Sequence, residues 1–546
     1  GLIMSIFKRI DDLSSSPRIR KGWFSAALII FLTLIIIPAV FVLLEAVIEW
    51  ESVSEVLGDP TMTGMIWGAV SNSFSIALIV TILDIVVGLP MAWILVRRSF
   101  RGKRYLDTLI DMPLAFPTAA VGISVVMFWG APEGVAIPGL GLVMSPYLIV
   151  ILLHTVFTFP YMVRSLAGIL DQIDPSFETA GMTLGASRLT AVRTITLPLF
   201  RAGLVTGFIL CFARSLSETG GTYIALQMLG VSSSFFTGPT FIKYMKDLPG
   251  ADPTGALIVV SVIMIVLAVA LLLVAKYMMN RLRLPWTKVW PVWERRLSKG
   301  LAARSKDILT FVFLFVIVIL PSFYIFAYLT APSGVADLNS LFGAIGISFA
   351  IAGIAVVFNI VFGIPMAIYI ARNGNTRLGV LLDNLVNIPL IIPTTVLGLS
   401  LSMFWGSFNL PAGAAFFLVT LGHISFTYPL VVRNITGAIS EVDPSYEEVA
   451  RTLGAKPFRA FSKVLLPIVQ SSVIAGAILA FTRSLGETGA TISISKDVVT
   501  VPVYIMDLIE QGQYYQGAVA AMILIVICFI LMFGVRYLTG RRKQGA

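Results

Sequence analysis

Apolar runs separated by short charged islands extend along the whole chain. A helix crosses a hydrocarbon core of about 30 Å with about 20 residues, and stretches of that length occur near residues 24–48, 68–96, 112–130, 142–164, 199–225 and 256–277. The series returns near 308–330, 341–371, 387–406, 413–433, 468–491 and 517–538. Twelve spans, six to each half, predict an all-α polytopic membrane protein made of two tandem transmembrane domains. Their expected bounds are 1–277 and 308–546, with a basic linker at 278–307. Pro and Gly interrupt the third and fourth spans of each half, which makes those the least regular helices of the set.

The polar islands repeat as well. Asp174-Pro175-Ser176-Phe177-Glu178, Thr183-Leu184-Gly185-Ala186 and Leu197-Pro198 return as Asp443-Pro444-Ser445-Tyr446-Glu447, Thr452-Leu453-Gly454-Ala455 and Leu466-Pro467, at a constant offset of 269. Ser176 and Ser445 suit a helix N-cap, and Glu178 and Glu447 put negative charge into a first turn. Gly185 and Gly454 then read as a turn into a second short helix. Each island is therefore a helical knob held between two membrane spans.

Only 12% of the 546 residues are charged and 57% are hydrophobic, far from the soluble balance of roughly 25% charged. Lys and Arg collect beside span ends: Arg18, Arg20 and Lys21 before the first span, five between Arg97 and Arg104 after the second, and Lys276, Arg281 and Arg283 after the sixth. Arg372, Arg377, Arg536, Arg541, Arg542 and Lys543 continue the pattern. Basic residues in short loops stay cytoplasmic, so both termini and both knobs are expected in the cytoplasm of a multi-pass plasma-membrane protein, with the two halves parallel. The net charge of +10 is explained by orientation and anionic-lipid contact rather than nucleic acid. The same reading covers the linker, where Trp286, Trp290 and Trp293 mix with basic residues. Cys211 and Cys528 lie in apolar spans and form no disulfide framework. The first apolar stretch lacks a small-residue cleavage pattern and reads as a retained span.

Ionisable residues inside the spans are candidates for function. Arg214 and Glu218 recur as Arg483 and Glu487, flanked by Ser215 and Thr219, and by Ser484 and Thr488. Sixteen residues beyond Pro198, Arg214 is about 24 Å up a helix, past the midplane. An Arg and a Glu at i and i+4 can neutralise each other, although in a continuous helix this order opposes the dipole. That pattern fits a structural pair or gate, or direct contact with solute. His154 and His423 are the only histidines, about 15 Å deep. Interhelical hydrogen bonding is the favoured reading for them, since two residues are thin for a metal site. Asp84 and Asn359 are further polar candidates in the second spans.

The repeated loops resemble the coupling loop of binding-protein-dependent ABC importer permeases, a Glu-Ala-Ala triplet, a Gly four residues on and a closing Ile-x-Leu-Pro. The second copy matches as Glu448-Val449-Ala450, Gly454 and Leu465-Leu466-Pro467, and the first as Thr179-Ala180-Gly181, Gly185 and Ile195-Thr196-Leu197-Pro198. Thr179 stands where the Glu is expected, with Glu178 one residue earlier, which sets the two loops apart. Met112-Pro113-Leu114 to Phe128-Trp129-Gly130 and its echo Ile388-Pro389-Leu390 to Phe404-Trp405-Gly406 extend the likeness. The first half carries seven extra residues between Trp129 and His154, including Glu133 and Pro138, on the external side.

The resemblance implies two MetI-like domains related by a pseudo-two-fold axis, each with a cytoplasmic coupling helix seated in a groove of an ATPase subunit. It assigns docking to Glu178, Thr179, Ala180, Gly185, Glu447, Glu448, Ala450 and Gly454. It also implies two ATPase copies and an extracytoplasmic solute-binding protein as partners. No phosphate-cradling G-x-x-x-x-G-K-[ST] occurs in the chain, so ATP and Mg belong to the partner subunits and no cofactor is expected here. Phe212–Gly220 and Phe481–Gly489 are similar to the fifth span of sulfate, molybdate and tungstate permeases, with Thr219 and Thr488 in place of an aromatic residue. Gly486-Glu487-Thr488 resembles phosphate permeases, while fusion of two halves resembles iron(III) and thiamine importers. The reading adopted is inorganic oxyanion import, with iron(III) or thiamine import as the alternative. A secondary transporter driven by an ion gradient, or an uncoupled channel or scaffold, is the different class.

Overall fold

The computed structural model describes residues 2–130, 145–281, 290–330 and 337–543. Nine helices among them are long and apolar enough to cross a membrane, and up to twelve if each of three bent pairs counts as one span. The described residues contain helices and no strands. In lipid this is what backbone hydrogen bonding requires of a chain that does not close a barrel. The extra first-half residues around Glu133 and Pro138, expected on the external side, and linker residues Arg283, Trp286 and Lys288 lie outside the described residues.

The helices gather into two compact units that do not follow the sequence halves. One comprises Glu49–Ala336 with Tyr504–Phe529, the other Gly1–Ile48, Asp337–Val503 and Ile530–Ala546. Each unit thus takes its first span from the opposite half. In the second-half unit, the Ser400 hydroxyl is inserted into the backbone ladder of the N-terminal span, donating to the Pro38 carbonyl at 2.7 Å and accepting from Val42 N–H at 2.9 Å. The first-half unit repeats this with Ser124, which donates to the Pro321 carbonyl and accepts from Ile325 N–H at 2.8 Å. An inserted side chain opens a helix at such a point. A π-helical turn, Phe31–Ile36 or Leu314–Ile319, precedes each proline. Ring contacts complete both seams, Phe31 with Tyr428 at 5.3 Å in one unit and Phe159 with Phe313 at 5.4 Å in the other.

The third spans are elbows, not straight crossings, whereas the fourth, expected to be interrupted as well, run as the continuous helices Pro146–Gln172 and Ala415–Glu441 with Pro160 and Pro429 inside them. Lys103–Ala115 meets Thr118–Gly130 at 102°, and Arg377–Ile391 meets Thr394–Gly406 at 103°. The cause is local: a residue ahead of proline is driven out of the helical region, and Phe116 and Ile392 both adopt ψ 129° before Pro117 and Pro393. Arg164 fixes one elbow, reaching Asp107 at 2.7 Å and Asp111 at 2.5 Å. Arg433 fixes the other through Asp383 at 2.6 Å and Asn387 at 2.7 Å.

The fifth spans, expected to run unbroken over 199–225 and 468–491, are interrupted. Helix Leu197–Leu216 stops and a new helix starts at Gly220, running to Met228. In the other unit Leu466–Leu485 stops and Gly489–Ile494 follows. Part of the supposed linker is also helical, as Pro291–Leu297 and the start of Gly300–Phe313.

Candidate functional site

Each unit builds a polar cluster at the break of its fifth span. Arg214 lies in the last turn of one helix and Glu218 just ahead of the next, with Nη1 and Oε2 2.9 Å apart and side chains only 12% and 2% exposed. Glu218 Oε1 accepts from Gly221 N–H at 2.9 Å, satisfying a free donor at the start of the new helix. The break reverses the dipole argument made for a continuous helix. A cation now sits at a helix C-terminus and an anion at a helix N-terminus, both favourable. Arg483 and Glu487 repeat the pair at 2.5 Å, and Glu487 accepts from Ala490 N–H at 2.9 Å. Arg214 also stacks over Phe157 at 4.6 Å and Arg483 over Phe426 at 5.0 Å.

The histidines staple the breaks. His154, on helix Pro146–Gln172, places Nδ1 2.7 Å from Ser215 Oγ before the break and Nε2 2.8 Å from Thr222 Oγ1 after it. His423 does the same with Ser484 at 2.7 Å and Thr491 at 2.9 Å. Both ring nitrogens are occupied, one as donor and one as acceptor in a neutral imidazole. Thr219 and Thr488 are buried within the breaks, at the N-cap positions of the following helices. Below each staple, Thr158 donates to the His154 carbonyl and Thr427 to that of His423. Asn359 donates to Thr427 at 2.7 Å, whereas Asp84 is fully buried beside Thr158.

Glycine lets the elbow reach the cluster. A Cβ on Gly122 would stand 2.4 Å from the Gly221 carbonyl oxygen, and one on Gly221 2.4 Å from that of Thr118. The other unit uses Gly398 against Ala490, where a Cβ on Gly398 would meet the Ala490 oxygen at 2.7 Å. Close approach of backbones through small residues is a usual way for membrane helices to pack.

The knobs are the second candidate site. Helices Ser176–Thr183 and Ser445–Thr452 are capped not by their first serines, as the sequence suggested, but by Asp174 and Asp443, each accepting from the serine N–H at 2.8 Å. Pro175 and Pro444 follow the cap because the first helical position needs no N–H. The Ser176 backbone N–H, then its hydroxyl, hold the Asp174 carboxyl below its ordinary value, and Ser445 does the same for Asp443. Each helix ends in a Schellman turn. Gly185 N–H reaches the Met182 carbonyl at 3.1 Å and Ala186 N–H that of Gly181 at 3.2 Å, with the same pattern at Gly454 and Ala455. Gly185 and Gly454 have φ of +92° and +90°, which is why glycine stands there.

The acidic residues assigned to docking divide into two kinds. Glu178 and Glu447 turn inward, Glu178 onto Arg97 at 3.1 Å and Thr196 at 3.0 Å, Glu447 onto Arg372 at 2.8 Å. They fasten the knob to the second span and are not presented outward. Glu178 is therefore the counterpart of Glu447, not a displaced Glu448, and the true exchange is Thr179 for the exposed Glu448. Ala180 and Gly185 are exposed and Ala450 half-buried. At Gly181, which stands in place of the alanine of the triplet, a Cβ would meet Ile195 Cδ1 at 2.6 Å, the movable end of that side chain. At the tips, Leu184 is 90% and Leu453 83% exposed, with Phe177 and Tyr446 open beside them. These open side chains make the tips a candidate surface for a partner.

The model of the binding-protein-dependent transport system inner membrane component family matches the chain twice, over residues 84–284 and 363–544. The chain belongs to this family. Among its relatives, the sulfate transport system permease protein CysT of Salmonella typhimurium is 32% identical over 214 residues, 36% of this chain and 76% of the relative. The molybdenum transport system permease protein ModB of Escherichia coli is 31% identical over 39% of this chain and 93% of its own length. The Fe(3+)-transport system permease protein FbpB 2 of Haemophilus influenzae is 23% identical but aligns over 95% of this chain and 98% of itself. The protein is thus an ABC-type membrane permease of binding-protein-dependent import with two tandem domains, and its relatives are permease subunits rather than enzymes. The family implies an ATPase and a solute-binding protein as partners.

Sequence reasoning located Arg214, Glu218 and the histidines in the permease, but not the break that brings them together. The signal was present: Ser217-Glu218-Thr219-Gly220-Gly221 and Gly486-Glu487-Thr488-Gly489 place two poor helix formers and a capping residue in succession.

Proposed function

We propose that this permease imports an inorganic oxyanion of the molybdate, tungstate or sulfate type, possession of ATP and Mg falling to two copies of a partner ATPase that dock on the two knobs. The observation that carries the coupling is the pair of exposed leucines, Leu184 and Leu453, raised on identical Schellman turns. Each knob continues through a fifth span to a broken helix, so movement at the ATPase reaches Arg214–Glu218 and Arg483–Glu487. Thr179, Ala180, Gly185, Glu448, Ala450 and Gly454 belong to the docking surface, while Glu178 and Glu447 anchor it from behind. The knobs and both termini face the cytoplasm, and the basic residues beside them lie against anionic lipid.

The oxyanion reading is supported by relatives at 32% and 31% identity that are named for sulfate and molybdenum. A second reading, iron(III), is favoured by the one relative quoted above that aligns along nearly the whole chain. The two are separated by reconstituting the permease with its ATPase and binding protein and measuring ATP hydrolysis with sulfate, molybdate, tungstate or ferric iron supplied in turn. Stimulation by an oxyanion is expected, and stimulation by ferric iron alone would replace that reading with the second. Docking is tested by Gly185→Val and Gly454→Val, which strain a turn at positive φ. Solute transport should fall in each variant while the permease stays in the membrane, and normal transport in both would refute the docking surface.

A further inference from the structure

Each knob is gripped by a short helix that leads, in sequence, into the first span of the opposite half. In the first-half unit the helix is Pro291–Leu297. Glu294 meets Arg193 Nε at 2.5 Å and accepts from the Thr190 hydroxyl at 2.5 Å, and the Ser298 hydroxyl accepts from Leu189 N–H at 3.1 Å. In the second-half unit the helix is Leu2–Ser14. Asp11 accepts from Arg459 N–H at 3.1 Å, Asp12 pairs with Lys456, and the Ser14 hydroxyl accepts from Phe458 N–H at 3.1 Å.

Leu189 and Phe458 are equivalent residues, each second in the short helix that follows the Gly turn. Ser298 and Ser14 are also matched, each donating back to its own helix, at Glu294 O over 2.6 Å and at Asp11 O over 2.7 Å. The remaining partners differ in kind. Ser187 caps its own helix through Thr190 N–H in the first knob. Lys456 stands at that place in the second and has no acceptor to offer, so Asp11 supplies one from the gripping helix. Different side chains thus maintain the same grip in both copies. Ser298 is two residues from the helix starting at Gly300, and Ser14 three from that starting at Pro17, both of which continue into first spans.

We infer that these two helices are struts that carry movement of each knob into the first span of the opposite half, with Glu294, Ser298, Asp11, Asp12 and Ser14 as positioning residues for energy coupling. The inference rests on the reading that the knobs receive an ATPase. A knob attached to its own fifth span and to a foreign first span moves both together, so ATP hydrolysis displaces two spans of one unit at once. Charge-assisted contacts such as Arg193–Glu294 hold that geometry more firmly than neutral ones.

The test uses the full permease–ATPase–binding-protein complex in vesicles, reading ATPase copurification, ATP hydrolysis and solute moved per ATP. Glu294→Arg alone should keep the ATPase bound and lower solute per ATP by roughly tenfold, the effect of a lost charged contact. Glu294→Arg with Arg193→Glu should restore it. At the other strut Asp11→Ala should lower the same ratio, while Asp11→Asn, which keeps the acceptor for Arg459 N–H, should not. An unchanged ratio in Glu294→Arg and Asp11→Ala, or no rescue by the exchanged pair and by Asp11→Asn, overturns the strut. Failure of the ATPase to copurify with the unaltered permease overturns the docking reading itself and the strut with it.

Discussion

Glu218 offers the sharpest test of the broken fifth span, because its carboxylate has two partners that different substitutions separate. Glu218→Ala strands Arg214, 12% exposed, and leaves Gly221 N–H without its acceptor. Removing one member of a buried ion pair costs about 3–5 kcal/mol, of which the stack on Phe157 retains about 0.5–2 kcal/mol. An unsatisfied buried N–H adds about 1–3 kcal/mol, so the alanine variant should lose about 2–7 kcal/mol in all. Glu218→Gln keeps an oxygen for Gly221 and should lose about 1–3 kcal/mol less than alanine. Arg214→Met with Glu218→Gln removes both charges, and such replacements are often neutral, so the double variant should lie within about 1 kcal/mol of the parent. The assay is denaturant unfolding in mixed micelles, followed by tryptophan fluorescence. An alanine variant as stable as the parent, or a double variant less stable than Glu218→Ala, would refute the pairing and the capping role together.

Three further outcomes follow from the same geometry. His154→Ala removes the acceptor and donor shared by Ser215 and Thr222 and should destabilise by about 1–3 kcal/mol; His423→Ala should match it, and unequal unfolding midpoints would show that the staples are not equivalent. Gly221→Ala drives a methyl onto the Thr118 carbonyl at 2.4 Å, an overpacking cost of about 1–3 kcal/mol or more, whereas Gly185→Ala has open space around it and should lose only the roughly 1–2 kcal/mol of a left-handed residue; the order of their unfolding midpoints decides. The Asp174 and Asp443 caps, held below the ordinary 3.8 by the Ser176 and Ser445 backbone N–H groups, stabilise the knobs above that value and release them as pH falls through the lowered one. Amide-exchange protection of the knobs should therefore be flat from about pH 8 to pH 5 and fall only below the carboxylate range; loss above pH 5 would exclude the caps as its cause.

The sequence showed two halves, their spans and the knobs because each depends on local quantities. Apolar length sets a crossing, and an offset of 269 sets the repeat. Pro117 and Pro393 even announced irregular third spans, although not an elbow of 102° or 103°, since proline excludes one conformation of its neighbour without choosing the direction of the next helix. The acidic residues of the knobs were legible as charges in a first turn, but not as inward or outward. That distinction depends on Arg97 and Arg372, 81 and 75 residues away from their partners Glu178 and Glu447.

By itself, then, the sequence determined membrane insertion, a duplicated architecture and the candidate polar residues, all through composition and short-range spacing. Tertiary structure alone decided that first spans join the opposite half's unit through Ser124 and Ser400, and that His154 and His423 close breaks in another helix. Buried hydroxyls and imidazoles in lipid must find partners, and which partner each one finds depends on how distant helices pack.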